Sequence, residues 1–373
     1  MQASQEGGRK VRYAVVGAGW ISQAAFLPAV AHTGNAEVTA LVTGDAQKAR
    51  VLGERYGIAH TYGYEQYADM LQSGQVDAVY LALPNWMHRD YAVPALQAGL
   101  HVLLEKPMAT SVADCEAIQR AAAGSGARLM IAYRLHFEPA TLDTLRRVRA
   151  GEIGRPRAFS AMFAQPVAPS NHRAQNGFWA GPVADMGPYP LNAARQLFGA
   201  EPVEVAALGS RDPALGFDFD DTVAVTLRFD DTRIAQFTVS YGGASCEHYR
   251  LVGDKGDILA QPAFGFGPGV ALQTRITVDG KTETLDYPET DQFGGELQYF
   301  SACILAGREP EPSGQEGLAD VRVLAAIEQA LRSGAPVRLE PFARSAYADA
   351  SQSTQLPPIE PPEAVNAASP MEA

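Results

Sequence analysis

The chain has 373 residues, of which 46% are hydrophobic and 19% charged, a globular composition with length enough for two domains. A formal net charge of -12 argues against nucleic acid or an anionic membrane as partner, because either needs a basic surface. Cys115, Cys246 and Cys303 form no CxxC pair, the first ten residues carry no apolar leader core, and no run reaches membrane-span length. The expectation is therefore a cytoplasmic protein with reduced thiols.

A short arm, residues 1–10, precedes the first apolar run. Across residues 11–136, strand-like runs ("VRYAVV", "AEVTALV", "DAVYLAL", "HVLLE", "RLMIAY") alternate with helical ones near 24–32, 47–56, 64–72, 89–97 and 112–123. Such alternation needs crossover connections, so it predicts an α/β domain of the Rossmann type, with a doubly wound parallel sheet. Residues 137–345 change rhythm: after a helical "EPATLDTLRRVRAG" come strand-rich runs, with "RFDDTRI" reading as a hairpin turn. They predict an α+β domain on a large, mostly antiparallel open sheet, which carries the substrate and the subunit contacts. The Pro/Ala-rich stretch 346–373 reads as a tail, disordered or strapped across a neighbour.

"VRYAVVGAGWIS" sets Gly17 and Gly19 between the first strand and a helix that opens at Trp20-Ile21. In a dinucleotide fold the first glycine makes the tight turn, and the second lets the backbone approach the pyrophosphate at the helix N-terminus. Ser22 takes the third small position. An NAD site usually ends its second strand in an acidic residue; here Thr43 and Gly44 stand there, with Asp45 read as the N-cap of the next helix. That leaves room for a 2′-phosphate with Lys48 as a donor, so NADP is favoured over NAD; the plainer reading of Lys48 and Arg50 is a solvated helix face.

"LALPNWMH" and "LLEKPM" end the third and fourth predicted strands at the edge where ligands bind. Leu83, Pro84 and Asn85 are expected to line the nicotinamide side. His88, at a helix start, is a cofactor contact or a structural one.

The glycine motif together with "PNWMH", "EKPMATSVADCEAI", "AYRLHFEPA" and "ADMGPYPLN" resembles the glucose–fructose oxidoreductase and inositol dehydrogenase family, from about residue 11 to 339. It is most similar to the glucose–fructose oxidoreductase branch. The resemblance implies that Lys106 is the active-site lysine, Tyr189 the catalytic tyrosine, and the Lys106-Pro107 bond cis. Chemically this fits: oxidising an alcohol carbon needs a group to take the hydroxyl proton, and an ammonium beside a phenol favours the phenolate. Glu105 is expected to orient the lysine or the nicotinamide region. Asp185 holds the lysine charge, accepts a substrate hydroxyl, or caps the helix near Pro188. Asn192 is expected to point inward one turn later. Tyr133 and Arg134, closing the fifth predicted strand, are expected to reach the cleft, Arg134 towards the cofactor.

"PVAPSNHRAQNGFWAGPVADMG" departs from the family's glycine-rich run before the aspartate; His172, Arg173 and Trp179 are its candidates for sugar contacts. The arm is shorter than the one with which that branch retains NADP, so a freely exchanging cofactor is expected. No metal site is expected, because no two histidines have ligand spacing. The function predicted is NADP-dependent hydride transfer to or from a sugar or polyol, at C1 of an aldose to give a lactone. The alternatives are reduction of keto or anhydro sugars, trans-dihydrodiol oxidation, or a silent NADP sensor. A homodimer or homotetramer through the second domain's sheet is expected, since an open antiparallel sheet needs cover on its second face.

Overall fold

Six strands, β1 (Val11–Val16), β2 (Ala36–Val42), β3 (His60–Tyr62), β4 (Ala78–Leu81), β5 (His101–Glu105) and β6 (Leu129–Ala132), form one parallel sheet ordered β3-β2-β1-β4-β5-β6. The computed structural model describes residues 8–230 and 232–370; residues 1–7 of the expected arm, the last three of the tail and the side chain of His172 lie outside the described residues. The helices are α1 (Leu27–Thr33), α2 (Ala46–Tyr56), α3 (Tyr67–Gln72), α4 (His88–Gln97) and α5 (Val112–Ser125). Along β1, Ala14 and Val16 enter one core cluster while Tyr13 and Val15 enter another. That period of two, apolar on both sides, is why the strand reads as a continuous hydrophobic run. β3 was not anticipated: "HTY" has no apolar run and becomes a strand by pairing with Ala40–Val42.

The chain continues with α6 (Pro139–Arg149), β7 (Pro156–Ala164), a short α7 (Pro182–Asp185), α8 (Pro188–Phe198) and the strands β8 (Glu204–Ser210), β9 (Thr222–Arg228) and β10 (Ile234–Ser240). Then come β11 (Cys246–Gly253), β12 (Gly256–Ala260), β13 (Gln273–Val278), β14 (Lys281–Asp286), α9 (Gln292–Ala306), α10 (Gly314–Ser333) and β15 (Val337–Arg338). These nine strands order as β14-β13-β12-β11-β7-β10-β9-β8-β15, antiparallel except for β7 with β10. The predicted hairpin is present, Arg228 pairing with Ile234. Phe159, Val225, Phe237 and Leu251 point to the inner face, where Leu145, Leu191 and Leu324 from the helices complete the core.

Two late helices tie the layers together. α9 returns to the first sheet, where Leu297 and Phe300 join Tyr13 and Phe26, and the Tyr13 hydroxyl meets Ser301 Oγ at 2.9 Å. α10 packs against both α5 and β8. It also supplies Glu316 and Asp320 to the fully buried Arg195 of α8, with Arg195 to Glu316 at 2.9 Å, and Glu201 closes the cluster at 2.7 Å. Buried charges persist only when paired in this way, and the pairing fixes α8, which carries Tyr189.

The tail corrects the expectation of disorder or a strap on a neighbour. It lies against its own chain: Thr354 N donates to the Phe137 carbonyl at 3.1 Å, Asp291 N to the Leu356 carbonyl at 3.0 Å, and Val365 N to Gln23 Oε1 at 2.7 Å. Among the described residues no helix is long and apolar enough to cross a membrane.

Candidate active site

The chain leaves β1 at Gly17 with φ +95°, where a Cβ would lie 2.5 Å from the Ala82 carbonyl oxygen; only glycine satisfies both constraints. At Gly19 a Cβ would meet nothing within 4 Å. Ser22 Oγ donates to the Gly17 carbonyl at 2.6 Å, so the serine at the third position braces the turn. This open cradle before a helix fits a pyrophosphate. At the end of β2, Thr43 Oγ1 accepts from Asp45 N at 3.3 Å, and Asp45 Oδ1 caps α2 through the Gln47 and Lys48 amides at 2.8 and 3.0 Å. Thr43 and Gly44 thus follow the end of β2, and Lys48 stands in the first turn of α2.

On the floor of the cleft His88 takes the structural one of its two expected roles, and Asn85 and Trp179 make tertiary contacts with no local signal. His88 is buried, with Nδ1 3.0 Å from the Pro107 carbonyl and Nε2 3.0 Å from the Leu83 carbonyl. It clamps the cis Lys106-Pro107 turn to the end of β4 and does not face the cofactor. Burial pushes its imidazole down to about 4 in spite of those carbonyls. The Asn85 amide is spent on the Trp179 carbonyl at 2.5 Å, and the Trp179 indole donates to Glu328 at 3.2 Å. Asn85 Nδ2 and the Trp179 carbonyl thus join the two domains, while Asn85 Oδ1 and the Trp179 ring face are not used by these bonds. Leu83 packs beside Gly17 as expected of the strand end.

Beyond β5 the predicted catalytic residues converge. Lys106 Nζ donates to the backbone carbonyl of Asp185 and to its Oδ1, the latter at 3.2 Å, and lies 4.8 Å from the centroid of the Tyr189 ring. The other carboxylate oxygen of Asp185 accepts from Tyr241 Oη at 3.0 Å and pairs with Arg173 Nε at 3.2 Å. Burial works against all these charges. Lys106 and Arg173 nevertheless hold the Asp185 carboxyl well below the usual range, and Tyr189, Asp185 and Glu105 raise the Lys106 ammonium above its ordinary value. The capping role for Asp185 falls away, because α8 begins at Pro188 with Gly187 as its N-cap and no side-chain cap. Glu105, its pKa raised by burial, accepts from Tyr80 Oη at 2.6 Å behind the lysine.

Arg134 stacks 4.8 Å from the Tyr189 ring and 4.6 Å from that of Phe266, and Phe266 lies 6.0 Å from Trp20. Its guanidinium donates to Gln292 and to the Phe264 and Gly265 carbonyls. Arg134 therefore packs on the tyrosine and holds the 264–266 loop with its two terminal nitrogens, while its Nε has no hydrogen-bond partner among the described residues. Tyr133 is also corrected: its hydroxyl turns away to Asp320 at 2.7 Å in the buried ionic cluster. Asn192 points inward, though to His136 and Glu316, each at 2.7 Å. Tyr241 and Phe266 were missed. Tyr241 ends a strand as Tyr133 does, which was an available signal; nothing in "AFGFGPG" marked Phe266. Among the described residues no group of three or more His, Cys, Asp or Glu could hold a metal.

A β3-β2-β1-β4-β5-β6 sheet with a glycine cradle at its switch point, and an amine beside a phenol past the strand ends, define a two-domain nicotinamide-dinucleotide oxidoreductase. Residues 11–133 match the family model described as an oxidoreductase family with an NAD-binding Rossmann fold, and residues 143–259 match the GFO/IDH/MocA C-terminal domain. The chain belongs to this GFO/IDH/MocA oxidoreductase family. It is 31% identical to a D-xylose 1-dehydrogenase [NADP(+)] of Haloarcula marismortui, over 88% of this chain and 93% of that one. A dTDP-3,4-didehydro-2,6-dideoxy-alpha-D-glucose 3-reductase of Actinomadura kijaniata is 29% identical over 87% and 96%. Among solved structures, the aldose-aldose oxidoreductase of Caulobacter crescentus superimposes with a TM-score of 0.82 at 35% identity, covering 89% of this chain and all of the other.

Proposed function

We propose that the chain is an NADP-dependent sugar oxidoreductase that oxidises C1 of a cyclic aldose to the lactone. The observation that carries this is the convergence of Lys106, Tyr189, Asp185 and Arg173 at one point beyond β5. The cofactor is NADP: Thr43 and Gly44 replace the acidic residue of an NAD site, and the xylose dehydrogenase relative is named for NADP. Bound between the glycine cradle and β5, the nicotinamide supplies the hydride acceptor. Tyr189 takes the proton from the sugar hydroxyl, and Lys106 stabilises the negative charge that develops on that oxygen. Asp185, held ionised by Lys106, Arg173 and Tyr241, fixes the lysine; Arg173 remains within reach of a second hydroxyl. A cavity of about 40 Å³ lies behind Tyr189, walled by Leu145, Leu197, Tyr249 and Phe264. It is too small for a polyol, so the sugar sits on the Asp185–Arg173 side.

The names of the two sugar dehydrogenase and oxidoreductase relatives favour C1 chemistry; the 3-reductase relative supports the alternative of keto-sugar reduction. A panel of aldoses, ketoses and polyols with NADP and NAD, followed by absorbance of the reduced nicotinamide, decides between them. Aldose-dependent NADP reduction with lactone as product is expected. Turnover confined to a keto sugar with NADPH overturns the C1 assignment.

A further inference from the structure

The C-terminal segment crosses the cofactor cleft. After Thr354 and Leu356 it reaches α2, where Arg55 donates to the Glu363 carbonyl at 2.8 Å. Val365 then exchanges two hydrogen bonds with Gln23, its N to Oε1 at 2.7 Å and its carbonyl from Nε2 at 3.0 Å; the same Nε2 also holds the Ala18 carbonyl of the glycine turn at 2.9 Å. Asn366, at φ +47°, donates from Nδ2 to Asp45 Oδ2 at 2.9 Å and to Gln47 Oε1 at 3.1 Å. Four residues later the Pro370 carbonyl accepts from Ala168 N at 3.2 Å. Ala168 belongs to the second domain, next to Val167, which pairs with Tyr241 of the Asp185 cluster.

These anchors lie on opposite lips. Asp45 is at the carboxyl end of β2, where the adenosine ribose of a dinucleotide lies. Ala168 is on the loop after β7, facing it across the cleft. Four residue steps reach at most about 14 Å, too little for a detour, so 366–370 bridges the gap directly. We propose that this segment is the outer wall of the NADP site, closing over the adenosine half and slowing release of the cofactor. The proposal rests on NADP as the cofactor. Asn366 has a second role in it: by binding Asp45 Oδ2, it occupies a carboxylate near the end of β2 that could otherwise accept from a ribose 2′-hydroxyl, and so favours NADP over NAD. The free exchange expected from the short N-terminal arm is replaced by retention in cis.

The test uses the full-length protein with Asn366→Ala and Asn366→Asp. The first removes the donor; the second sets two carboxylates together and pushes the segment off its anchor. Release of NADPH is followed by nicotinamide fluorescence after mixing with excess NADP, and melting temperature monitors the fold. Release about three- to tenfold faster in Asn366→Ala, faster again in Asn366→Asp, with the melting temperature unchanged and NAD gaining relative to NADP, is expected. Unchanged release in both variants overturns the wall. Tighter NADPH binding in either variant also overturns it, since the segment would then be occupying the cofactor's own seat. A parent protein that binds no NADPH at all would sink the cofactor reading itself and this inference with it.

Discussion

Lys106 and Asp185 meet at 3.2 Å although 79 residues separate them, and the backbone carbonyl of Asp185 takes a second donor from the same ammonium. The lysine comes from the end of a Rossmann strand and the aspartate from the last residue of α7, so the pair forms only when the two domains dock. On the proposed mechanism, docking is what sets the lysine by the tyrosine, because the same ammonium lies 4.8 Å from the Tyr189 ring.

Lys106→Met and Tyr189→Phe are expected to lower kcat by roughly a thousandfold, the range lost with an acid/base group, while NADP affinity stays within about threefold. Steady-state kinetics with a responsive sugar, beside a fluorescence titration of NADPH, measure both. Unchanged turnover in either variant removes that residue from the mechanism.

Asp185→Asn separates positioning from chemistry. Asp185 is, with Tyr189 and Glu105, one of the groups that raise the Lys106 pKa against burial, so its neutralisation lowers the lysine pKa. The alkaline limb of the kcat profile is expected to move to lower pH, with stability lower by about 3–5 kcal/mol because Lys106 and Arg173 lose their partner. A pH–rate series and urea unfolding test this; an unmoved alkaline limb would show that the carboxylate does not hold the lysine.

Much of this geometry was legible from the chain because its signals are local. Gly17 needs a positive φ, Asp45 caps a helix, and an amine at the end of an apolar strand points into the ligand crevice. Tyr133 misled because its position along the chain is right for the cleft while its hydroxyl finds a tertiary partner in Asp320; the contacts of His88, Asn85 and Trp179 with two carbonyls, each other and Glu328 are likewise long-range and leave no local signal. The tail misled similarly, since its Pro/Ala composition says nothing of Gln23 or Phe137, to which it bonds.

His88 predicts an acid weakness. Its folded pKa is about 4 against an ordinary 6.5, so as pH falls through 6.5 the unfolded chain binds a proton that the folded chain refuses until about pH 4. Stability associated with neutral His88 is complete above pH 6.5 and declines by roughly 3 kcal/mol over that window. His88→Gln is expected to be less stable than the parent at pH 7.5, yet to lose less on acidification. Urea midpoints at pH 7.5 and 5.0 give the comparison, and equal losses in both proteins would contradict it.

The outer face of the large sheet carries the row Leu208, Ala224, Thr238, Met162 and His248, each a cross-strand neighbour of the next. Among the described residues no helix of the same core covers that row, and Leu208 is 77% exposed. Small and apolar residues without a central charge suit a flat interface, where charged residues are depleted. We expect a dimer or tetramer built through this face. Ala224→Arg places a cation amid the row, and on each side of a two-fold contact, so dimer affinity should fall at least about a hundredfold, equivalent to roughly 3 kcal/mol. Light scattering across a dilution series reads the outcome, with melting temperature as the check on folding. A parent that is monomeric at tens of micromolar, or an Ala224→Arg protein that keeps the parent's mass on dilution, would place the subunit contact elsewhere.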